Sequence, residues 1–493
     1  MSVPTPGSSG TSTIDAARKA PANRWLVLAI IALAQLMVVL DGTIVNIALP
    51  QAQAELGMSD SDRSWVVTLY ALTFGALLLL GGRIADFWGR KRSFIVGMAG
   101  FALASAIGGI ATSGETLLLA RGLQGVFAAL LAPAALAILS VTFPGGKDRV
   151  RAFAVYGTIA GGGAAVGLLL GGVLTEYFSW HWCLLVNVPI AVVAIALGLP
   201  VLRESRAEGS TRYDVPGAVL VSLGLASVVY GFSRAEAGWV RADTLGFLAL
   251  GVVLLALFIL VESRSQHPLL PLRIITDRAR AGAYLTSIAV GAALLGALLY
   301  LTLYLQIVLG MSPLVSGLAS LPMTVAIIVC AGVVSRLLPT VGARILMTVG
   351  PLVAAAGLLL LSRITVGGSY ALEVLPAQIL LGVGLALIFV PLQNVALLGI
   401  APRDSGVASA AVTATQQIGG SIGTAVFTAL YTVGAGTGTA EGAAGGLQAL
   451  VDGYSVVFLA AAVVLALASP VCWFMIRVAR DEFTMSDEAV HLG

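Results

Sequence analysis

Gly82-Arg83-Ile84-Ala85-Asp86-Phe87-Trp88-Gly89-Arg90-Lys91-Arg92 sets four cations and one acid in a short connection between two long apolar runs. Glycines near both ends let the chain reverse tightly. Cations beside apolar spans mark the cytoplasmic side of a membrane. Asp86 stands where it meets either Arg90, one helical turn on, or the positive end of a neighbouring helix. The segment therefore reads as a tight cytoplasmic loop joining two transmembrane helices.

Composition agrees with that reading. Of 493 residues, 58% are hydrophobic and 10% charged, whereas soluble domains carry about 25% charged residues. Runs of about 20 apolar residues, each able to cross roughly 30 Å of hydrocarbon as a helix, begin near Trp25, Ser64, Ser93, Thr116, Ala152, Cys183, Val215, Thr244, Gly282, Pro313, Ile345, Leu372, Ser405 and Tyr454. The expectation is an all-α integral membrane protein of fourteen spans. With the N-terminus inside, the inner segments hold Arg18, Lys19, Arg24, the loop cations and their counterparts down to Arg477 and Arg480. The outer segments hold only Arg63, Arg234, Arg241 and Arg363. That asymmetry of twenty-two cations to four places both termini in the cytoplasm. The net charge of +3 then reflects topology, and nucleic-acid binding is not expected.

Residues 1–24 are polar and lack an apolar stretch, so a disordered cytoplasmic tail is expected, with the first span acting as its own insertion signal. Residues 479–493 form a second tail. Cys183, Cys330 and Cys472 share no metal-type spacing, and neither a disulfide framework nor a metal site follows from them. Three Lys against twenty-four Arg point to a GC-rich bacterial genome and hence to a bacterial cytoplasmic membrane.

The opening loop closely resembles the G-x-x-x-D-x-x-G-R-K/R connection between the second and third spans of the major facilitator superfamily. Ser335-Arg336-Leu337-Leu338-Pro339-Thr340-Val341-Gly342-Ala343-Arg344 repeats it in part. Arg336 matches Arg83, Gly342 matches Gly89 and Arg344 matches Lys91, while Pro339 stands where the first copy has Asp86. The chain thus reads as a six-span bundle over 25–202, a two-span insert with cytoplasmic linkers over 203–279, and a second six-span bundle over 280–478. Parallel repeats of this kind place a substrate site between the halves near the bilayer midplane, with access alternating by rocking.

An ionised side chain near the centre of a span costs about 2.5 to 3.5 kcal/mol, so each one needs a partner or a function. Asp41 in the first span is the one acid well inside hydrocarbon, and Arg121 in the fourth is the one embedded cation. Glu115, Glu176, Glu262 and Glu373 fall near span ends. At about 1.5 Å per residue, Asp41 lies about 24 Å from the inner surface and Arg121 about 8 Å below the outer one. The two therefore share a depth, and pairing would reduce the burial cost of each. Burial favours a neutral carboxyl and a guanidinium favours the carboxylate, so small rearrangements would load or unload a proton.

Leu40-Asp41-Gly42-Thr43-Ile44-Val45-Asn46-Ile47-Ala48-Leu49-Pro50 resembles the first-span signature of fourteen-span drug/proton antiporters, and Arg121-Gly122-Leu123-Gln124-Gly125 is similar to their fourth-span R-G-x-Q-G. The resemblance implies proton coupling through Asp41 and Arg121. Ser179-Trp180-His181-Trp182 with Asn187-Val188-Pro189 resembles the connection between their fifth and sixth spans, with His181 where Arg is usual. Pro402-Arg403-Asp404-Ser405-Gly406 and Gln417-Ile418-Gly419-Gly420 look like the corresponding region of the second half. The fifth-span pattern G-x-x-x-G-P-x-x-G-G is met by Gly163, Gly167, Gly171 and Gly172, but Leu168 replaces the proline. No kink is then forced, although the glycines still allow close helix contact.

A central cavity should carry polar and aromatic groups on otherwise apolar spans. Candidates are Gln35, Asn46, Gln124, Tyr300, Tyr304, Gln306, Phe389, Gln393 and Asn394. With no deeply embedded acid in the second half, lipophilic neutral or monocationic compounds fit better than dications. The sequence thus points to a proton-driven exporter of lipophilic drugs, antibiotics or toxic metabolites, with protons, the cargo and the bilayer as its partners. Nothing calls for more than one copy. No G-x-x-x-x-G-K-S/T loop occurs, so the proton gradient, rather than ATP or a cofactor, is the expected energy source. Fourteen-span uptake symporters for peptides carry an E-x-x-E-R motif in the first span, which is absent here. A membrane-embedded enzyme is disfavoured because His181, His267 and His491 all lie near or outside the membrane surface, while a lipid or metabolite cargo stays open.

Overall fold

The computed structural model describes residues 23–144, 146–206, 214–235, 238–265, 268, 272–398, 400, 405–436 and 443–478. Residues 1–22 of the first expected tail, all of the second, the Pro402-Arg403-Asp404 junction, His267 and His491 lie outside the described residues, whereas Arg24 already begins the first helix. Fourteen helical rods follow in order: α1 Arg24–Leu56, α2 Asp60–Trp88, α3 Arg90–Gly109, α4 Gly114–Thr142, α5 Gly146–Tyr177, α6 Trp182–Val201, α7 Val215–Arg234, α8 Ala242–Arg264, α9 Arg278–Val308, α10 Pro313–Val341, α11 Ala343–Leu361, α12 Tyr370–Leu397, α13 Ser405–Ala435 and α14 Ala443–Met475. Among the described residues, thirteen have the length and hydropathy to cross a membrane. In α5 the apolar stretch among the described residues is the shorter Gly163–Tyr177.

Local chemistry sets the ends of these rods. Ser59 and Asp62 form a reciprocal capping box at the start of α2, and Ser113 caps α4. Such caps satisfy N–H groups that a helix cannot pair internally. The expected repeat also has a backbone counterpart. Gly89 joins α2 to α3 at φ 128°, and Gly342 joins α10 to α11 at φ 87°, a region where side chains other than glycine are strained.

Helices α1 to α6 pack as one bundle, mainly through α2 on α4, α3 on α4 and α1 on α5. Helices α9 to α14 pack as a second bundle through α9 on α13 and α11 on α12 and α14. The inserted α7 and α8 pair with each other, and α7 lies across the seam between the bundles. Its Leu225 and Val229 join Leu72 and Ala76 of α2 and Ala425 of α13 in one apolar cluster, and Trp65 Nε1 donates to Ser233 Oγ at 2.9 Å.

The two bundles close at the end carrying the α1–α2 turn. There Thr428 Oγ1 donates to Ser64 Oγ at 2.8 Å, and Gln306 Nε2 donates to the Ile47 carbonyl at 3.0 Å. Gly172 of α5 packs on the Leu314 backbone and Gly317 of α10 on the Leu168 carbonyl, both without room for a Cβ. Farther along α5, toward the α2–α3 loop, this close packing is not repeated. Gly157 sits eleven residues before Leu168, about three turns along the same face of α5, yet a Cβ there would meet nothing within 4 Å.

Candidate functional site

The expected depth match is met by contact. Asp41 and Arg121 are 0% and 1% exposed, and Arg121 Nη1 donates to Asp41 Oδ2 at 2.6 Å. The other carboxylate oxygen, Oδ1, accepts from Gln124 Nε2 and Asn187 Nδ2, each at 2.8 Å. Arg121 also donates from Nε to the Val66 carbonyl at 3.0 Å and from Nη1 to Gln124 Oε1 at 2.8 Å. Its guanidinium carbon lies 4.2 Å from the centre of the Tyr70 ring. Gln124 Nε2 donates in addition to Ser105 Oγ at 2.8 Å. Five helices, α1, α2, α3, α4 and α6, thus meet in one network around this carboxylate.

Each partner follows from local structure. Arg121 and Gln124 are three apart on α4 and so share a face. Asn187 is brought in by the chain entering α6 after the Trp180–His181 turn, where the two rings stack at 3.9 Å and Trp180 Nε1 donates to Glu55 Oε2 at 2.9 Å. Three donors from neighbouring side chains satisfy an ionised carboxylate out of water. A neutral carboxyl has one acceptor site fewer and one donor more, so adding a proton obliges at least one donor to turn away. The network joins these helices through hydrogen bonds that end on one buried carboxyl group.

The sequence candidates divide into three groups. Gln124 was expected on a cavity wall, and the structure corrects this: it is fully buried and spent on Asp41 and Ser105, because an isolated carboxylate must collect donors. Tyr300 and Tyr304 are likewise corrected. Both are fully buried in the second bundle, where Tyr300 Oη donates to Thr428 Oγ1 at 3.2 Å and Tyr304 Oη to the Thr365 carbonyl at 2.9 Å. Tyr300 also packs against the rings of Tyr431 and Tyr454. Asn46 is buried beside the open space at Gly42, and Gln35 accepts from Tyr156 Oη at 2.7 Å. Phe389 is half-buried, whereas Gln393 and Asn394 on α12 are exposed. Asn394 Nδ2 donates to the Val390 carbonyl at 2.8 Å.

In the α2–α3 loop, Arg90 donates to Asp86 Oδ1 from Nη2 at 2.9 Å and from Nε at 3.1 Å. Lys91 Nζ donates to the Leu199 carbonyl at 2.6 Å. Gly82 would tolerate a Cβ in ordinary contact with Pro133, but at Gly89 one would meet the Glu204 carboxylate at 2.6 Å. That carboxylate accepts from Lys91 N at 3.1 Å and Arg92 N at 3.2 Å. In the glycine series, Gly163, Gly167 and Gly171 face Val39, Thr43 and Ile44 of α1, while Gly172 faces the other bundle. Sequence reasoning missed Asn187 as a partner of Asp41 and Ser105 as a partner of Gln124. Asn187 offered a signal as an amide beside an apolar run, whereas Ser105 among Ala and Gly offered none. Among the described residues no group of three or more His, Cys, Asp and Glu side chains could hold a metal.

Comparison with known proteins gives the geometry a context. A family model described as the Major Facilitator Superfamily matches residues 31–424. Puromycin resistance protein pur8 of Streptomyces alboniger is 46% identical over 461 residues, covering 92% of each chain. Cephamycin export protein CmcT of Amycolatopsis lactamdurans is 39% identical over 393 residues, covering 79% of this chain and 81% of that one. A bacterial homologue of the human lysosomal transporter Spinster, solved inward-facing and occupied, superposes with a TM-score of 0.67 at 16% identity, covering 93% of this chain and 98% of that chain.

Proposed function

Because the chain belongs to the major facilitator superfamily, we propose that it is a proton-coupled antiporter that exports lipophilic drugs, antibiotics or toxic metabolites from a bacterial cell by alternating access. The observation that carries this reading is the buried Asp41 carboxylate, held by Arg121, Gln124 and Asn187. Relatives named for antibiotic resistance and export support the cargo class. Both termini are cytoplasmic in this reading, so the closed end of the molecule faces outward and cargo gains access from the cytoplasmic end.

In that state cargo enters from the cytoplasm and settles between the bundles near Asn46, Phe389, Gln393 and Asn394. When the bundles rock, the outer end parts and water reaches the neighbourhood of Asp41. A proton then neutralises the carboxyl, Gln124 or Asn187 releases it, and the helices around it repack. Release of the proton to the cytoplasm restores the ion pair and resets the cycle. An inward proton yields about 2.3 kcal/mol per 100 mV and about 1.4 kcal/mol per pH unit. One proton per cycle therefore sustains a cargo gradient of about a hundredfold or more.

The test is proton movement in proteoliposomes on adding puromycin or other lipophilic antibiotics, with Asp41→Asn as the comparison. Wild type should release protons on adding cargo, and cargo efflux should follow an imposed pH gradient. The variant should lose both while still exchanging cargo down its own gradient. Gradient-driven efflux surviving in Asp41→Asn would remove this carboxyl from coupling.

A further inference from the structure

Glu176, in the last turn of α5, reaches across the seam between the bundles. Its Oε2 accepts from Ser312 Oγ at 2.6 Å and from the Leu314 backbone N–H at 2.9 Å. Those donors belong to the first turn of α10. Pro313 has no N–H to give, Val315 N donates to Ser312 Oγ at 3.4 Å, and Ser316 N donates to the Ser312 carbonyl at 2.8 Å. Leu314 N–H is the one left over, and a carboxylate of the opposite bundle takes it.

The same helix prepares this contact one turn earlier. Gly172 is four residues before Glu176 and so on the same face. A Cβ at Gly172 would lie 2.7 Å from Leu314 Cα. The bare glycine lets α5 approach the start of α10 closely enough for the Glu176 side chain to arrive at bonding distance. At Gly157, farther along this face, a Cβ would meet nothing within 4 Å. The contact is thus made in the state closed at this end, and every bond in it must break when α5 and α10 part.

We propose that Glu176 is a latch of the alternating-access cycle: its carboxylate, bonded to Ser312 and to the Leu314 N–H, sets the ratio of closed to open molecules at the end remote from the α2–α3 loop. The inference rests on alternating access in this family and not on what is carried. Its effect is that of a cap supplied from outside the helix. Two charge-assisted bonds favour closure, and exposure to solvent keeps the gain modest. Closure then stays reversible on each cycle.

The experiment measures distance across the closed end. Nitroxides on Gln51→Cys in α1 and Leu372→Cys in α12, both exposed, report the gap between bundles in the full-length protein in lipid nanodiscs. Cys330 is replaced by Ala, while Cys183 and Cys472 are buried and left in place. Glu176→Ala should raise the open-to-closed ratio about fivefold, the scale of losing one helix cap. Glu176→Gln should raise it less, because it keeps an acceptor and loses the charge. In a Ser312→Ala background the effect of Glu176→Ala should shrink, since one of its two donors is already gone. Unchanged distances in Glu176→Ala, or equal effects in both backgrounds, would overturn the latch. These distances are read without any cargo, so a failure of the export reading leaves this test intact.

Discussion

The two bundles have similar helical plans and opposite interiors. In the first, Asp41 stands seventeen residues beyond the start of α1, and Arg121 seven beyond the start of α4. In the second, the residue seventeen beyond the start of α9 is Leu295. On α12, Gln378 stands eight beyond the start, is fully buried, and has neither side-chain atom hydrogen-bonded. A buried ion pair is costly and can be emptied or filled by a proton, whereas a buried neutral amide has one state. The comparison teaches that the buried ion pair belongs to one bundle, while the matching positions of the other hold an apolar residue and an unbonded amide. The loops repeat this contrast, with Asp86 bonded to Arg90 in the first copy and Pro339 and Ala343 at the matching positions of the second.

The sharpest way to break that comparison is to strand a charge. Arg121→Leu leaves the Asp41 carboxylate buried without its cation and should cost about 3 to 5 kcal/mol, read as lower thermal stability in detergent. Adding Asp41→Asn to it should return most of that loss, and a double variant as unstable as Arg121→Leu would deny the pair its role. Next in size is close packing of the first bundle. A Cβ at Gly125 would press on Thr73 Oγ1 and stand 2.6 Å from the Tyr70 carbonyl, so Gly125→Ala should destabilise by about 1 to 3 kcal/mol and pull Arg121 away from Tyr70. Denaturant midpoints measure it.

Smaller effects sharpen the contrast between loops. Asp86→Asn removes a partly exposed pair and should slow transport several-fold with little loss of stability, because surface pairs contribute about 1 kcal/mol or less. Pro339→Asp should change initial rates less than Asp86→Asn does, since Ala343 stands where Arg90 would receive the new acid. The smallest change should come from Gln378→Leu. Replacing an unsatisfied buried amide by an apolar group of similar size should leave transport within about twofold and hold or raise the melting temperature. A large transport defect there would give the second bundle a polar role of its own.

Much of this was legible along the chain. Apolar runs announce helices wherever the bilayer leaves the backbone no other partner, and a lone acid and a lone cation at equal depth announce each other by their cost. The positive-φ glycines were visible through the repeated loop. What escaped was direction around each helix. Tyr300 and Tyr304 were read toward a central space and face inward among their own helices. Gln124 was read as lining and serves a carboxylate. Glu176 was seen as an acid near a span end, without its partner. The reason is that helices apolar on all sides carry little periodic signal for which face meets which neighbour.

By itself, then, the sequence determined how often the chain crosses the membrane, where it turns, and which charges must be accounted for, because hydropathy and solvation cost are properties of single residues and short runs. The tertiary structure alone decided that Asn187 and Ser105 complete the Asp41 network, that α7 covers the α2–α13 seam, and that Glu176 bonds across to α10. Those are contacts between residues far apart in the chain, set by how close-packed helices rotate and approach, and local sequence pattern carries no term for them.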